Sequence, residues 1–166
     1  MKKISIVVAS VGKNLDLALE IKHHLQANHA TVSVLNLVEM NLPMYTSQAE
    51  AHHSAEKLMF QYKESLESDA IIFVAPEYNG APPPVFSNFI AWVSRSTKNW
   101  RENFNNKSAL IASASGGGGS QALAIMRLQL SFLGMNVMGR QILSTLEKPH
   151  KAAHLTEICD RFLEMI

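Results

Sequence analysis

Short apolar runs alternate with longer amphipathic segments along this chain, and that alternation limits its possible folds more than any other feature. Ile4–Ala9 is apolar and rich in β-branched residues, as expected of a strand that is covered on both faces. Asp16–Ala27 follows, with Leu17, Ile21 and Leu25 at the spacing of one helix face. The same two patterns recur to the end of the sequence, which predicts a series of β-α units.

Five such units fill the chain. The predicted strands are Ile4–Ala9, Thr31–Leu37, Ala70–Ala75, Ser108–Ala114 and Asn136–Leu143. The predicted helices are Asp16–Ala27, Ala51–Glu67, a segment from the prolines at 82–84 to Ser94, Gln121–Leu133 and His150–Ile166. Right-handed connections between such units give a parallel sheet with helices on both faces, and five strands favour the order 2-1-3-4-5.

This arrangement is an α/β fold, a flavodoxin-like three-layer sandwich around a five-stranded parallel sheet. The 166 residues are enough to build one sizeable core. Neither a linker nor an internal repeat interrupts the alternation of strands and helices. We therefore expect a single domain over residues 1–166.

Charge and cysteine content argue against several classes of function. The formal net charge is +1 and the Lys and Arg residues are scattered, which disfavours binding to nucleic acid or to an anionic membrane. No segment has the roughly 20 apolar residues that span a bilayer, and the N-terminal apolar run is too short for a signal peptide. Cys159 is the only cysteine, on the inward face of the last predicted helix, so a packing role is expected. We expect a soluble, cytoplasmic protein.

Three polar, turn-rich segments follow the first, third and fourth predicted strands. They read SVGKN at 10–14, PEYNG at 76–80 and SASGGGGS at 113–120. In an open parallel sheet, ligands bind in the crevice at the carboxyl ends of the strands. We therefore expect the three segments to converge on one binding cleft.

The first segment precedes a helix and has the composition of a phosphate site. Free backbone N–H groups and the helix dipole favour an anion there, and the candidate contacts are Ser10, Gly12, Lys13, Asn14 and Leu15. The sequence has neither GxxxxGK[ST] nor GxGxxG, so a single terminal phosphate is a better match than a pyrophosphate. Taken alone, the segment is equally compatible with a plain turn and helix cap.

The second segment carries the most specific signal. It ends an apolar strand, Pro83 and Asn88 lie in the helix that follows, and that helix ends in Trp92-Val93-Ser94-Arg95. This combination resembles the NAD(P)H-dependent FMN reductase family, which includes bacterial quinone, chromate and azo-dye reductases. Leu42–Tyr45 and Ala109–Gly116 extend the resemblance over most of the chain.

The resemblance implies that the chain binds FMN and takes electrons from NADPH or NADH. It places the backbone of Pro76, Glu77, Tyr78, Asn79 and Gly80 along the polar edge of the isoalloxazine, with Tyr78 as an apolar flank. It places Ser113, Ser115, Gly116 and Gly117 at the other end of the ring, where glycine lets the backbone approach closely. The flavin carries the redox chemistry, so no catalytic side chain is implied.

The resemblance also implies partners. The acceptor would be a small molecule: a quinone, an azo compound, free flavin or a metal oxyanion. A homodimer or homotetramer would form partly through the helix after the PEYNG segment. Here Val85–Val93 carries Phe86, Phe89, Ile90 and Trp92, more apolar surface than packing on one sheet requires.

Some positions depart from the family pattern, and other interpretations stay open. The first segment is shorter than in the family and lacks its usual arginine, whose charge Lys13 is expected to replace without a bidentate grip on phosphate. Ala91 stands in place of an aspartate and Ser87 in place of a lysine. A flavodoxin-type electron carrier is one alternative, although such carriers are strongly acidic. A degenerate relative that has lost FMN is another. In the plainest interpretation, PEYNG is only a turn and GGGG only a flexible loop.

Other candidate sites are weaker. A metal site needs three or four ligands, and His150 and His154, four residues apart, have no evident third partner, so no metal is predicted. His52 and His53 are expected to face solvent, with a place at the rim of the cleft as the alternative. The serines at 113, 115 and 120 lack the GxSxG context of a hydrolase.

Overall fold

The computed structural model describes all residues, 1–166. The strands are β1 (Lys3–Val8), β2 (Thr31–Asn36), β3 (Ala70–Val74), β4 (Ser108–Ser115), β5 (Asn136–Val137) and β6 (Ile142–Thr145). The helices are α1 (Lys13–Ala27), α2 (Ser47–His52), α3 (Ala55–Phe60), α4 (Lys63–Leu66), α5 (Pro84–Ser96), α6 (Ser120–Phe132) and α7 (Ala152–Met165), with a 3₁₀ turn at Trp100–Asn103. No helix combines the length and the apolar character required to cross a membrane.

The sheet is parallel throughout, and its order, β2-β1-β3-β4-β5, confirms the predicted 2-1-3-4-5 arrangement. The three central strands read as unbroken apolar runs because helices cover both of their faces. One apolar core lies between the sheet and α1 with α7, and includes Ile21 and Phe162. The other lies between the sheet and α3, α5 and α6, and includes Met59 and Trp92. The expected three-layer α/β sandwich is therefore confirmed.

The predicted strand Asn136–Leu143 is wrong as one continuous element. It is divided into β5 and β6, and both pair with β4. Asn136 and Ile142 are six residues apart, but their partners Ser108 and Ala112 are only four apart, so two extra residues bulge out of the ladder. The Arg127 guanidinium donates to the carbonyl oxygens of the bulge, at 2.7 Å to Met138 and 3.3 Å to Gly139. These bonds replace the ladder bonds that the bulge loses.

The predicted helix Ala51–Glu67 is also wrong as one element, because it is three short helices that begin earlier. The Thr46 side chain accepts from Ala49 N at 2.9 Å and starts α2. His53 is extended, and the Ser54 side chain then accepts from Lys57 N to start α3. Such side-chain caps compete with a continuous helix.

The apolar residues of α5 that suggested an interface are buried within this chain. Phe86, Phe89, Ile90 and Trp92 belong to the core, and the Trp92 indole N–H donates to Pro43 O at 2.7 Å. The inference that α5 has spare apolar surface is therefore wrong. Exposed apolar side chains lie instead on the outer face of α6, at Ile125, Leu128 and Phe132.

Candidate functional site

The three segments singled out in the sequence begin side by side. Val8, Val74 and Ala112 are paired across β1, β3 and β4, so β1 and β3 end level with each other, while β4 continues to Ser115. Ala9 N donates to Val74 O at 2.9 Å and Ala75 N to Ala112 O at 3.0 Å, which carries the hydrogen bonding one residue past the ends of β1 and β3. The loops that follow are called here the first loop (10–14), the second loop (76–80) and the third loop (115–119).

The first loop leads into a helix start that no side chain caps. Gly12 occupies the N-cap position and α1 begins at Lys13. The backbone N–H groups of a first turn have no partner inside the helix, and here no side chain accepts from them. Lys13 is exposed at this helix end. Ser10 is nearly buried and its hydroxyl donates to Val11 O at 2.9 Å. This arrangement can receive an anion.

Asn14 joins the first loop to the end of β4. Its side chain is 3% exposed, and its amide nitrogen donates to Ala114 O at 2.7 Å. The amide oxygen accepts from Ala114 N at 2.9 Å. The Asn14 side chain thus pairs with the edge of β4 beyond the end of β3, where a longer β3 would otherwise make these bonds. Because the Asn14 side chain is buried and held to Ala114 at both ends of its amide, the contact that we expect Asn14 to offer a phosphate is its backbone N–H.

The second loop is built around a two-residue turn. Tyr78 N donates to Ala81 O at 2.8 Å, and Ala81 N donates back to Tyr78 O at 3.1 Å. Asn79 and Gly80, the two central residues, have φ values of 51° and 79°, as in the turn that favours Asn-Gly. The Tyr78 side chain is 53% exposed and lies at the surface of the cleft.

Glu77 joins the second loop to the helix behind the third loop. One of its carboxylate oxygens accepts from Gln121 N at 3.1 Å and from Ala122 N at 3.2 Å. These N–H groups belong to the first turn of α6, which has no side-chain cap of its own. A carboxylate is favoured at this end of a helix by its dipole. The Glu77 carboxylate therefore stabilises the start of α6.

The third loop leaves open space along its backbone. A Cβ added at Gly116 or Gly117 would meet no atom within 4 Å, and both residues are exposed. A Cβ on Gly12 or on Gly80, in the other two loops, would likewise meet no atom within 4 Å. Ser113 is fully buried at the Gly119 end of the third loop, and its hydroxyl oxygen has no hydrogen-bond partner.

A cavity of about 290 Å³ lies beside the first and third loops. Lys13 and Ser115 line it on the side of the cleft, and His150 lines the opposite side. His150 Nε2 lies 2.9 Å from the Glu20 carboxylate, which ties the start of the C-terminal segment to α1. No group of three His, Cys, Asp or Glu side chains is arranged to hold a metal ion. His150 lies before the first residue of α7, so it does not share a helix face with His154.

Two further motifs of the sequence contact each other rather than the cleft. The Asn88 side chain accepts from Tyr45 N at 2.7 Å and donates to Pro43 O at 3.1 Å. Arg95 Nε donates to Glu50 at 2.7 Å, and the Tyr45 hydroxyl donates to the same carboxylate at 2.8 Å. These two hydrogen bonds hold the pKa of Glu50 below its usual value, and the bond from Arg95 has the larger effect. The motifs thus clamp the loop after β2 onto α5.

The residues around the cleft suit a phosphorylated, flat, partly apolar ligand. An uncapped helix start with a lysine can take a phosphate, three stretches of open backbone can lie against a polar ring edge, and an exposed tyrosine can cover a ring face. Glu77, the one carboxylate within the three loops, caps α6, whereas the Asp16 carboxylate lies in the first turn of α1 beside the same cavity as Lys13. The fold is that of a flavodoxin-like protein, and the three loops form a candidate mononucleotide site.

Comparison with known proteins specifies the family. Residues 2–148 match the family described as NADPH-dependent FMN reductase. An Arabidopsis thaliana NADPH:quinone oxidoreductase is 25% identical over 156 residues, which are 91% of this chain and 74% of the plant protein. The Saccharomyces cerevisiae NAD(P)H-dependent FMN reductase LOT6 is 30% identical over 117 residues, 65% of this chain and 58% of the yeast protein. The chain belongs to the NADPH-dependent FMN reductase family.

The fold comparison agrees with the family. FerB of Paracoccus denitrificans, a flavoenzyme NAD(P)H:(acceptor) oxidoreductase, superimposes with a TM-score of 0.79 over 99% of this chain and 96% of FerB, at 21% identity. The expected family is therefore confirmed. At the level of the family, the predicted oxidoreductase activity, the FMN cofactor and NAD(P)H as electron donor are also confirmed.

Proposed function

We propose that residues 1–166 form one FMN-binding domain that passes electrons from NAD(P)H to a small acceptor, of which a quinone is the leading candidate. One observation carries the proposal. Asn14 holds the first loop to Ala114, just before the third loop, and Glu77 holds the second loop to Gln121 and Ala122, just after it. Family membership gives the chemistry of the ligand.

The FMN phosphate would bind at the start of α1. Its candidate contacts are the Ser10 hydroxyl, the Lys13 ammonium and the backbone N–H groups of Gly12, Lys13, Asn14 and Leu15. The absence of a side-chain cap on α1 leaves first-turn N–H groups available for this purpose. Lys13 would act as a point charge, without the bidentate grip of an arginine.

The isoalloxazine would lie between the second and third loops. When bound, FMN accepts a hydride from NAD(P)H and returns two electrons to an acceptor. The backbone of residues 76–80 would orient the ring and donate hydrogen bonds to its polar edge, where negative charge increases on reduction. Tyr78 would shield one side of the ring from water. Ser115, Gly116 and Gly117 would bound its other end, with the buried Ser113 behind them.

The donor and the acceptor would use the same open face of the site in turn. The overall reaction is NAD(P)H + H⁺ + quinone → NAD(P)⁺ + hydroquinone, so atoms and electrons balance without a further co-reactant. The name of the plant relative, NADPH:quinone oxidoreductase, favours a quinone acceptor. The location we propose is the cytoplasm, which the use of NAD(P)H and a single, buried, unpaired Cys159 support.

The assembly we propose is a homodimer formed through α6. Leu128 and Phe132 are 75% and 76% exposed on its outer face, next to the half-exposed Ile125. Such a stripe is costly in water and suits a two-fold contact. Leu128→Glu should give a monomer by sedimentation at micromolar concentration, where the unchanged protein is a dimer. A monomeric unchanged protein would contradict this assembly.

A ligand comparison tests the placement of the cofactor. The protein is titrated with FMN and with riboflavin, which lacks the phosphate, and Ser10→Ala/Lys13→Ala is titrated alongside. Charge-assisted contacts contribute about 1.5–3 kcal/mol each, so the variant should bind FMN at least about tenfold more weakly. Riboflavin binding should not change. Equal loss for both ligands would place the phosphate elsewhere, and no binding of either would indicate a relative that has lost its flavin.

A further inference from the structure

We propose that Glu77 is a positioning residue that fixes the third loop against the second, so that both sides of the flavin site are set by one carboxylate. The proposal rests on the function proposed above. In this role the Glu77 side chain holds the two loops in place and does not itself contact the flavin. Its basis is the pair of hydrogen bonds from the first turn of α6 to Glu77.

Helix α6 needs a cap from outside because its own N-cap position cannot supply one. That position is Gly119, with φ of 84°, whereas a capping side chain needs the extended backbone of an ordinary N-cap residue. A Cβ there would lie 2.7 Å from Leu143 Cδ1 and 3.3 Å from the Ser113 hydroxyl. Backbone conformation and packing therefore both disfavour a capping side chain at this position.

Glu77 solves this problem from a different loop. It follows β3 directly, and its carboxylate reaches two N–H groups at the α6 start across a separation of more than forty residues. The other carboxylate oxygen lies 3.6 Å from the place of a Cβ on Gly118. The carboxylate thus lies along the glycine loop as well as under the helix.

The consequence is that the second and third loops move together. The third loop has four consecutive glycines, Gly116–Gly119, and only its ends are held by β4 and α6. Without the Glu77 contact, the α6 end would fray and the loop would sample many conformations. Binding a rigid ring would then require ordering that loop, and flavin affinity would fall.

The test compares the complete protein with four variants. Glu77→Ala removes the carboxylate, and Glu77→Gln keeps one neutral acceptor oxygen. Glu77→Ala/Gln121→Glu restores negative charge at the helix start from an exposed position on α6 itself, without a link to the second loop. Glu164→Ala removes an exposed carboxylate of α7 and is the matched control.

Three quantities are measured: the FMN dissociation constant, the Tm of the FMN-free protein, and hydrogen exchange at residues 116–122. Glu77→Ala should raise the dissociation constant about ten- to a hundredfold, lower the Tm and increase exchange at Gln121 and Ala122. Glu77→Gln should lie in between. The double variant should regain the Tm but not the FMN affinity, because the helix is capped again while the loops stay unlinked. Glu164→Ala should match the unchanged protein.

Several results would overturn the proposal. If Glu77→Ala binds FMN as tightly as the unchanged protein, the carboxylate does not set the site, and the proposed function still stands. If the double variant regains affinity together with Tm, Glu77 only stabilises α6. If the unchanged protein binds no FMN, both the proposed function and this role fail.

Discussion

Replacement of Asn14 by alanine probes the contact between the first and third loops. The side chain is 3% exposed and makes two hydrogen bonds to Ala114, of 2.7 and 2.9 Å. Each bond contributes about 1 kcal/mol net, and Ala114 N and O lose their partners in a half-buried position. We expect the free energy of unfolding to fall by about 2–3 kcal/mol, or roughly 4–12 °C in Tm for a chain of this size.

The assay is urea unfolding of the FMN-free protein, with FMN binding measured on the same variants. Asn36→Ala is the matched control, because Asn36 is also buried and also makes two side-chain bonds, of 2.9 and 3.0 Å. Those bonds are local to the end of β2 and contact neither loop. Both variants should lose stability, but only Asn14→Ala should lose FMN affinity. A stability loss under about 0.5 kcal/mol, or unchanged FMN binding, in Asn14→Ala would refute this interpretation.

Two further predictions follow from the second loop and from the core. Gly80→Val should lose flavin because a β-branched residue is strained at φ of 79°, whereas Gly80→Asn should keep it; equal flavin content in both would mean that the turn is unimportant. Burial raises the pKa of the Cys159 thiol to about 12 from a usual value of 9.0, so the folded protein should resist thiol reagents at pH 8. The thiol of the unfolded chain ionises at lower pH than the buried one, so the free energy of unfolding should decline as pH rises above about 9. Urea unfolding at several pH values should show this decline, and Cys159→Ala should remove the part of it that is due to the thiol.

The sheet and its order were predictable because the central strands are short apolar runs separated by helical patterns. The second loop was also predictable, since Asn79-Gly80 has a specific turn preference. The bulge between β5 and β6 was not predictable from its own residues, because it is completed by Arg127 from α6. The α2–α3 break has a local cause, the Ser54 cap on Lys57 N, but the helical spacing of the surrounding apolar residues favoured one long helix.

The functions of individual polar residues were harder to predict than their location. The place of Asn14 and Glu77 after strand ends predicts that both lie at the cleft. Their side-chain partners, however, lie 100 and more than 40 residues away along the chain. A pattern of residue types cannot distinguish a ligand contact from a bond that holds two loops together. For the same reason, the apolar side chains of α5 suggested an interface although the loop at Pro43 covers Trp92.

The most direct test of the central claim is anaerobic titration of the FMN-loaded protein with NADPH or NADH, followed by visible absorption. We predict that one equivalent of donor bleaches the flavin band and that one equivalent of 1,4-benzoquinone restores it, since each step moves two electrons. A bound flavin that both donors leave oxidised would contradict the account and indicate an electron carrier instead.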